Sequence, residues 1–153
     1  MEIIKIPNKI LTRKIKQVSV GDIKKGSYKE LILEMKEAMK EHQGVGLAAN
    51  QIGKDLAIFV IETTLAQESG VTDVFINPEI TEYSRDSDEV EEGCLSIPDF
   101  YVPIKRAKKV KIKFVDENGD KKKLKARGFL ARVLQHETDH LNGLTIRDRF
   151  KKK

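Results

Sequence analysis

The sequence predicts an α+β fold, mostly antiparallel strands packed around an interior helix that carries a His-Glu-x-x-His run. Three observations predict it. Strand-like apolar runs recur from Leu56 onward, an Asn-Gly pair joins the last two strands, and a helical segment from about Phe129 to Asn142 follows them. Strands first and an interior helix afterwards suit layered α+β packing better than alternating β-α units. The 153 residues contain no repeat, no low-complexity linker and no break in composition, so residues 1–153 are expected to form one domain. A chain of that size buries roughly 70% of its unfolded surface.

Residues 1–26 mix short apolar groups with basic ones and are expected to wrap the core as an irregular arm. Ser27-Tyr28-Lys29-Glu30 reads as a capping box. Leu31, Ile32, Met35, Ala38 and Met39 then follow at helical spacing, and Gly44 should stop that helix. Leu56-Ala57-Ile58-Phe59-Val60-Ile61 is a continuous apolar run, as in a strand buried on both faces. Val74-Phe75-Ile76-Asn77-Pro78 reads as a second strand, ended by its proline. Lys108 to Val115 and Lys121 to Ala126 flank Glu117-Asn118-Gly119-Asp120, a strong hairpin signal because both central residues of an Asn-Gly turn take positive φ. Gly143 lies just past the last long helix. Leu144 to Lys153, half of them basic, are expected to fray.

Hydrophobic content of 39% and charged content of 35% suit a globular protein in water. No apolar run approaches the roughly 20 residues needed to cross a bilayer, so no membrane partner is expected. Met1-Glu2-Ile3-Ile4-Lys5 has neither a secretory core nor an Arg-rich presequence, and a cytoplasmic location is expected. The one cysteine, Cys94, excludes an internal disulfide and fits a reducing compartment. Net charge is +5. Much of it lies between Lys105 and Arg127, where lysines alternate with Val110, Ile112 and Phe114. That period of two reads first as a solvated strand face, with an RNA-facing or ribosome-facing patch as the alternative. No DNA partner is expected.

The chemistry concentrates in three segments. In Gln135-His136-Glu137-Thr138-Asp139-His140, the two histidines are four apart and share a helix face. Two imidazoles so placed can converge on one divalent ion, and Glu137, rotated by one residue, can reach a water held there. A catalytic site normally has three protein ligands and an open position. Cys94, in Glu92-Gly93-Cys94-Leu95-Ser96-Ile97-Pro98, is a fitting third. His42 is a competitor, although the end of a surface helix suits it better. The third segment is Gly44-Val45-Gly46-Leu47-Ala48-Ala49-Asn50-Gln51. It lacks the third glycine of a dinucleotide fingerprint and the Lys-Ser/Thr of a phosphate loop.

In series, these three segments resemble the three signature motifs of the peptide deformylase family, in order and in rough spacing. Asn77-Pro78 and Leu141-Asn142-Gly143 add to a similarity that runs over nearly the whole chain. The resemblance implies an enzyme that removes the formyl group from the N-terminal formyl-methionine of newly made polypeptides and releases formate. It implies one divalent metal, iron(II) in the cell, with zinc, nickel or cobalt able to occupy the site. Cys94, His136 and His140 would be its ligands and Glu137 the general base and acid. Gln51 and the backbone N–H of Leu95 would hold the developing oxyanion. Val45, Gly46, Glu92, Gly93, Phe129 and Val133 would face substrate, with Gly46 offering backbone for an added peptide strand. Arg132 would either lay its stem along the pocket or point to solvent.

Two departures accompany the resemblance. Some relatives hold the peptide backbone with an arginine shortly after the cysteine motif, where this chain has Asp99-Phe100-Tyr101. Some also extend into a C-terminal helix that docks on the ribosome, a route that the short basic end here does not support. A contact with the ribosome surface would then fall to the basic residues. Two other classes compete. A metallopeptidase would need a third His or Glu ligand downstream of the helix, and no histidine follows His140. A non-catalytic RNA-binding module would leave Glu137 and Gln51 without a purpose.

Overall fold

The structure, a computed structural model, describes residues 1–151. In chain order the elements are α1 (Val20–Lys24), α2 (Lys29–Glu41), β1 (Gly46–Ala48), β2 (Ile58–Ile61), α3 (Thr63–Ser69), β3 (Val74–Tyr83) and β4 (Ser87–Cys94). They continue with β5 (Ile97–Ala107), β6 (Lys109–Val115), β7 (Lys121–Arg127), α4 (Gly128–Leu141) and α5 (Ile146–Lys151). A five-stranded antiparallel sheet has the order β1-β2-β3-β6-β7, and β4 and β5 form a separate two-stranded ribbon. The α+β reading holds, and α4 is the interior helix, buried from Leu130 to Leu141 except at His136, which is partly open.

The continuous apolar run in β2 is explained by burial on both faces. Phe59 and Ile61 join Phe75, Val110, Ile112 and Phe114 under α4. The Phe59 and Phe75 rings stack at 4.9 Å, and Phe75 meets Phe114 at 4.4 Å. On the other face Ile58 and Val60 meet Ile32, Met35, Ala38 and Met39 of α2. The sheet is thus sandwiched between α2 and α4, and α4 is fixed with one turn after another against β1, β2 and β7.

Several local expectations are corrected. Ser27 does not cap α2: the cap position is Tyr28, with no side-chain hydrogen bond to the helix. Pro78 does not end β3, because the register to β6 shifts between Ile76 and Glu79, and a bulge tolerates the missing N–H. Asn77 anchors that bulge at φ +50°, its amide exchanging hydrogen bonds of 2.7 and 2.8 Å with the backbone of Val18. In the β6–β7 turn only Gly119 takes positive φ, at +87°. The reason is a longer loop than a two-residue turn, organised by the Asp116 carboxylate, which accepts from the N–H groups of Asn118 and Asp120.

The C-terminal residues do not fray as far as Lys151. Ile146 is buried with Ile97 and Ile104, and Arg149 on α5 donates to both carboxylate oxygens of Asp139, at 2.7 and 2.9 Å. Residues 152–153, the end of the segment expected to fray, lie outside the described ones. β4, α1 and α3 carry no periodic apolar signal, whereas β5 alternates Phe100, Val102 and Ile104 on the face that packs with Ile97 and Ile146, a signal the sequence reading did not use.

Candidate metal centre and catalytic cleft

Helical spacing puts His136 and His140 on one side of α4, their rings 5.0 Å apart between centroids. The end of β4 brings Cys94 to them across more than forty residues of sequence. Its Sγ lies 3.3 Å from His140 Nε2, and one ligand atom from each of Cys94, His136 and His140 falls within 4.8 Å of the others. One sulfur and two imidazole nitrogens at that spacing fit a divalent ion of borderline softness, reached by bonds of about 2.0–2.3 Å. His42 takes no part. It sits exposed past the end of α2, its Nε2 3.2 Å from the Met1 carbonyl oxygen.

Burial opposes ionisation of Cys94, but the charge of His140 and hydrogen bonds from His136 and His140 outweigh it, so the thiol ionises well below its ordinary range. For His136 burial opposes protonation. Its hydrogen bonds with Cys94 and Glu92 win, and its pKa is pushed up to about 10. Together they describe a thiolate beside a protonated imidazole, whose proton a bound cation would displace.

A buried ionic cluster lies behind His136. Glu92 Oε1 is 2.9 Å from His136 Nδ1, which makes Nδ1–H the donor and would leave the Nε2 lone pair facing Cys94 once a cation displaces the Nε2 proton. The same carboxylate accepts two hydrogen bonds from Arg106, at 2.9 and 3.0 Å, and one from Arg132. Burial would raise the Glu92 pKa, yet the donors His136 and Arg106 hold it far below the carboxylate range. Arg132 does not point to solvent: it lines the cleft, as one of the two expectations had it. It is buried and tied to Glu92, to the Ile104 carbonyl at 2.9 Å and to Asp88 at 2.8 Å. Arg106 departs from the solvated-face reading of the basic segment: only 4% exposed, it bridges Glu92 and Asp139.

Glu137 is held close by. Its Oε2 is 4.0 Å from His136 Nε2, and its Oε1 is a buried oxygen with no hydrogen-bond partner among the described residues. Burial raises its pKa, only partly offset by the two histidines. A carboxylate with a vacant acceptor and a raised pKa beside a cation site is equipped to take a proton and give it up again.

Gln51 sits in a 3-10 turn (Ala49–Ile52) directly after β1. Its Oε1 accepts from the Ala48 N–H at 3.0 Å, which turns the NH2 end towards the site. From there Nε2 donates to Ser96 Oγ at 3.1 Å and lies 3.7 Å from Cys94 Sγ. Asn50, next to it, donates to the His140 carbonyl at 2.7 Å and so pins α4 to the turn.

These groups open into a cleft of about 310 Å³, walled by Val45, Gly46, Gly93, Leu95, Phe129 and Val133. Every residue expected to face substrate is among its walls, Glu92 included, although the carboxylate of Glu92 is engaged with His136 and the two arginines. Tyr101 adds a wall that the sequence did not announce. Its ring covers Gly93 so closely that any side chain there would collide. Arg106 and Asp139, and the pairing of Arg132 with Glu92, escape sequence reasoning, since a buried charge and a solvated one are spelled with the same letter.

A family model for polypeptide deformylase matches residues 1–153. A peptide deformylase of Dictyoglomus turgidum is 47% identical over 150 residues, covering 97% of this chain and 92% of that protein. One from Prochlorococcus marinus (strain MIT 9312) is 40% identical over 153 residues, covering 100% and 75% respectively. Among solved structures, the peptide deformylase of Thermotoga maritima superposes with a TM-score of 0.87 at 36% identity, covering 97% of this chain and 95% of that one. That of Synechococcus elongatus, in complex with actinonin, also gives 0.87, at 37% identity over 97% and 79%.

Proposed function

The chain belongs to the polypeptide deformylase family, and from that premise we propose the part each residue of the cleft takes in its reaction. The chain is a metal-dependent hydrolase that removes the formyl group from the N-terminal formyl-methionine of newly made polypeptides and releases formate. Residues 1–153 act as one catalytic domain. Cys94, His136 and His140 hold one divalent ion, iron(II) in the cell. A divalent ion there supplies the Lewis acidity that makes water nucleophilic near neutral pH.

Glu137 takes one proton from the attacking water and passes it to the leaving nitrogen as the C–N bond of the formamide breaks. Water contributes its oxygen to formate and its protons to the products. As the carbonyl carbon becomes tetrahedral, negative charge gathers on the formyl oxygen. The Gln51 Nε2 amide and the Leu95 backbone N–H receive it, each worth roughly 2.7–4 kcal/mol when removed from such a site. Glu92 acts through His136, holding its tautomer. Gly46 leaves its backbone open for the extended peptide, and Val45, Leu95, Phe129 and Val133 receive the methionine side chain. Gly93 and Tyr101 form the floor and rim of the peptide channel.

The observation that carries this reading is the convergence of the Cys94 sulfur and two imidazoles beside Glu137 at the bottom of one cleft. It is tested by formate release from formyl-Met-Ala after anaerobic loading with iron, nickel or cobalt. Turnover with at least one metal, and none with the chelated protein, is expected. Inactivity with all three would refute it. No helix among the described residues is long and apolar enough to cross a membrane. The reading places the enzyme in the cytoplasm, where the basic residues contact the ribosome surface while the cleft receives the nascent formyl-methionyl chain.

A further inference from the structure

β6 and β7 pair in unbroken register, with Lys109 opposite Arg127, Lys111 opposite Lys125 and Lys113 opposite Lys123. Directly opposed residues share a face, so six exposed cations stand in two columns while Val110, Ile112 and Ala126 turn inward beneath α4. Neighbouring β3 answers only part of this charge: Glu82 lies 2.7 Å from Lys111 and Glu79 lies 3.2 Å from Lys113. Among the described residues, Lys109, Lys123 and Arg127 make no ion pair. Six cations against two carboxylates leave an excess of four, close to the +5 of the whole chain. The imbalance of the molecule therefore sits largely on this one face.

Like charges directly opposed weaken a strand pair, and an ordinary solvated face mixes its signs. The other ribbon of this protein does so on its exposed face, opposing Glu89 to Lys105. The β6–β7 ladder does not. It also begins beside the catalytic cleft: a depression at the start of β6 and α4 shares Val90, Phe129 and Arg132 with the cleft, and shares Lys109 and Arg127 with the hollow of about 790 Å³ over the ladder.

The geometry points to the solvent face of β6–β7 as a docking surface for the phosphate backbone of double-stranded RNA, which holds the cleft near the source of its substrate. This deepens the ribosome contact of the preceding reading and rests on it only for RNA in preference to DNA. Cations on a strand face repeat about every 7 Å, and a nucleic-acid backbone offers charge at every nucleotide whatever its sequence. Tyr83, at the end of β3, is the single exposed aromatic lining that hollow, and one ring is no platform for successive unpaired bases, which favours backbone contacts on a duplex over single strands. Tyr83 aside, none of the exposed large apolar residues among the described ones lies on β6 or β7 or lines the hollow, too little for a lipid surface. An acidic polypeptide has no fixed charge spacing, and new chains differ in acid content.

The test is fluorescence anisotropy of a labelled RNA duplex of about 16 base pairs titrated with the full chain, with formyl-Met-Ala turnover read on the same preparations. Four neutralised phosphates predict affinity that falls about 100-fold between 50 and 200 mM salt. The K123E/K125E variant should bind at least about tenfold more weakly at 50 mM with a flatter salt slope, K123Q/K125Q should fall between, and turnover should stay within about twofold of the parent. Four results each overturn the proposal: no RNA binding at 50 mM, parent-like binding by K123E/K125E, tighter binding to the matching DNA duplex, or preference for poly-glutamate or phosphatidylserine vesicles. Loss of turnover by parent and variants alike would strike the catalytic reading instead and leave the RNA result legible.

Discussion

A β-carbon added to Gly46 would stand 2.6 Å from Glu137 Oε2. The first strand of the sheet thus runs directly over the carboxylate on α4, and only a glycine lets the two approach. Gly46→Ala should keep the fold and the metal, because the collision is with one side chain. It should lose about 100-fold in kcat/KM, the usual result of misplacing a reacting group by about an ångström. Formate-release kinetics beside circular dichroism and metal analysis check this; a variant as active as the parent would show that Glu137 has room to spare.

Glu137→Ala removes the proposed proton carrier without touching the three candidate ligands. Metal content should remain at one equivalent while kcat falls by about 10²–10⁴. Survival of most of the activity would take the base role away from Glu137.

Gln51→Leu keeps the volume but removes the amide held by Ala48 and turned towards Cys94. A loss of about 10²–10³ in kcat with little change in KM is expected, since the donor matters most once the oxyanion forms. A change confined to KM would instead mark Gln51 as a ground-state contact.

Cys94→Ser replaces a soft ligand by a hard one. Titration with chelator should show weaker metal retention, and the order of preference among iron, nickel and zinc should change. Identical retention and preference in parent and variant would exclude the sulfur from the metal's coordination.

Asp139 supports α4 through Arg106 at 2.6 Å and ties α5 to it through Arg149. Burial would raise its pKa, but Arg149 and Arg106 together bring it below the ordinary 3.8. A depressed folded-state pKa stabilises fully above the unfolded value and is lost as pH falls through the folded one. Asp139→Asn, which leaves the buried Arg106 with Glu92 as its only carboxylate partner, should cost roughly 1.5–3 kcal/mol at pH 7. The gap between parent and variant in urea melts should shrink below about pH 3.8. A gap that stays constant to pH 2.5 would mean the charge of Asp139 is not what stabilises.

Much of the site was legible because its periodicity is local. Residues four apart on a helix must share a face, so His136 and His140 converge wherever α4 goes. Alternation in β6 and β7, and a turn between them, follow equally from nearest neighbours. The β4–β5 ribbon is harder to read: β4 is polar on both faces around Glu89 and Glu91, and the alternation of Phe100, Val102 and Ile104 in β5 is masked by Pro98 and Pro103. Fraying is expected of Leu144 to Lys153 because half of the ten residues are basic, yet a helix stands at Ile146–Lys151. It forms because Ile146 finds Ile97 and Ile104, and Arg149 finds Asp139.

The sequence by itself determined the donor types, the helix that presents two of them and the family they mark, since these depend on residue identity and short spacings. Tertiary packing alone decided that the Cys94 sulfur meets those imidazoles, that Glu92 fixes the tautomer of His136, and that Arg106 and Arg132 are buried partners of Glu92 while Lys109 and Lys111 face water. The reason is physical. Helix and strand periods act over a few residues, whereas the position of a side chain relative to one forty residues away, and the burial that decides how a charge behaves, exist only once the two faces of the sheet are covered.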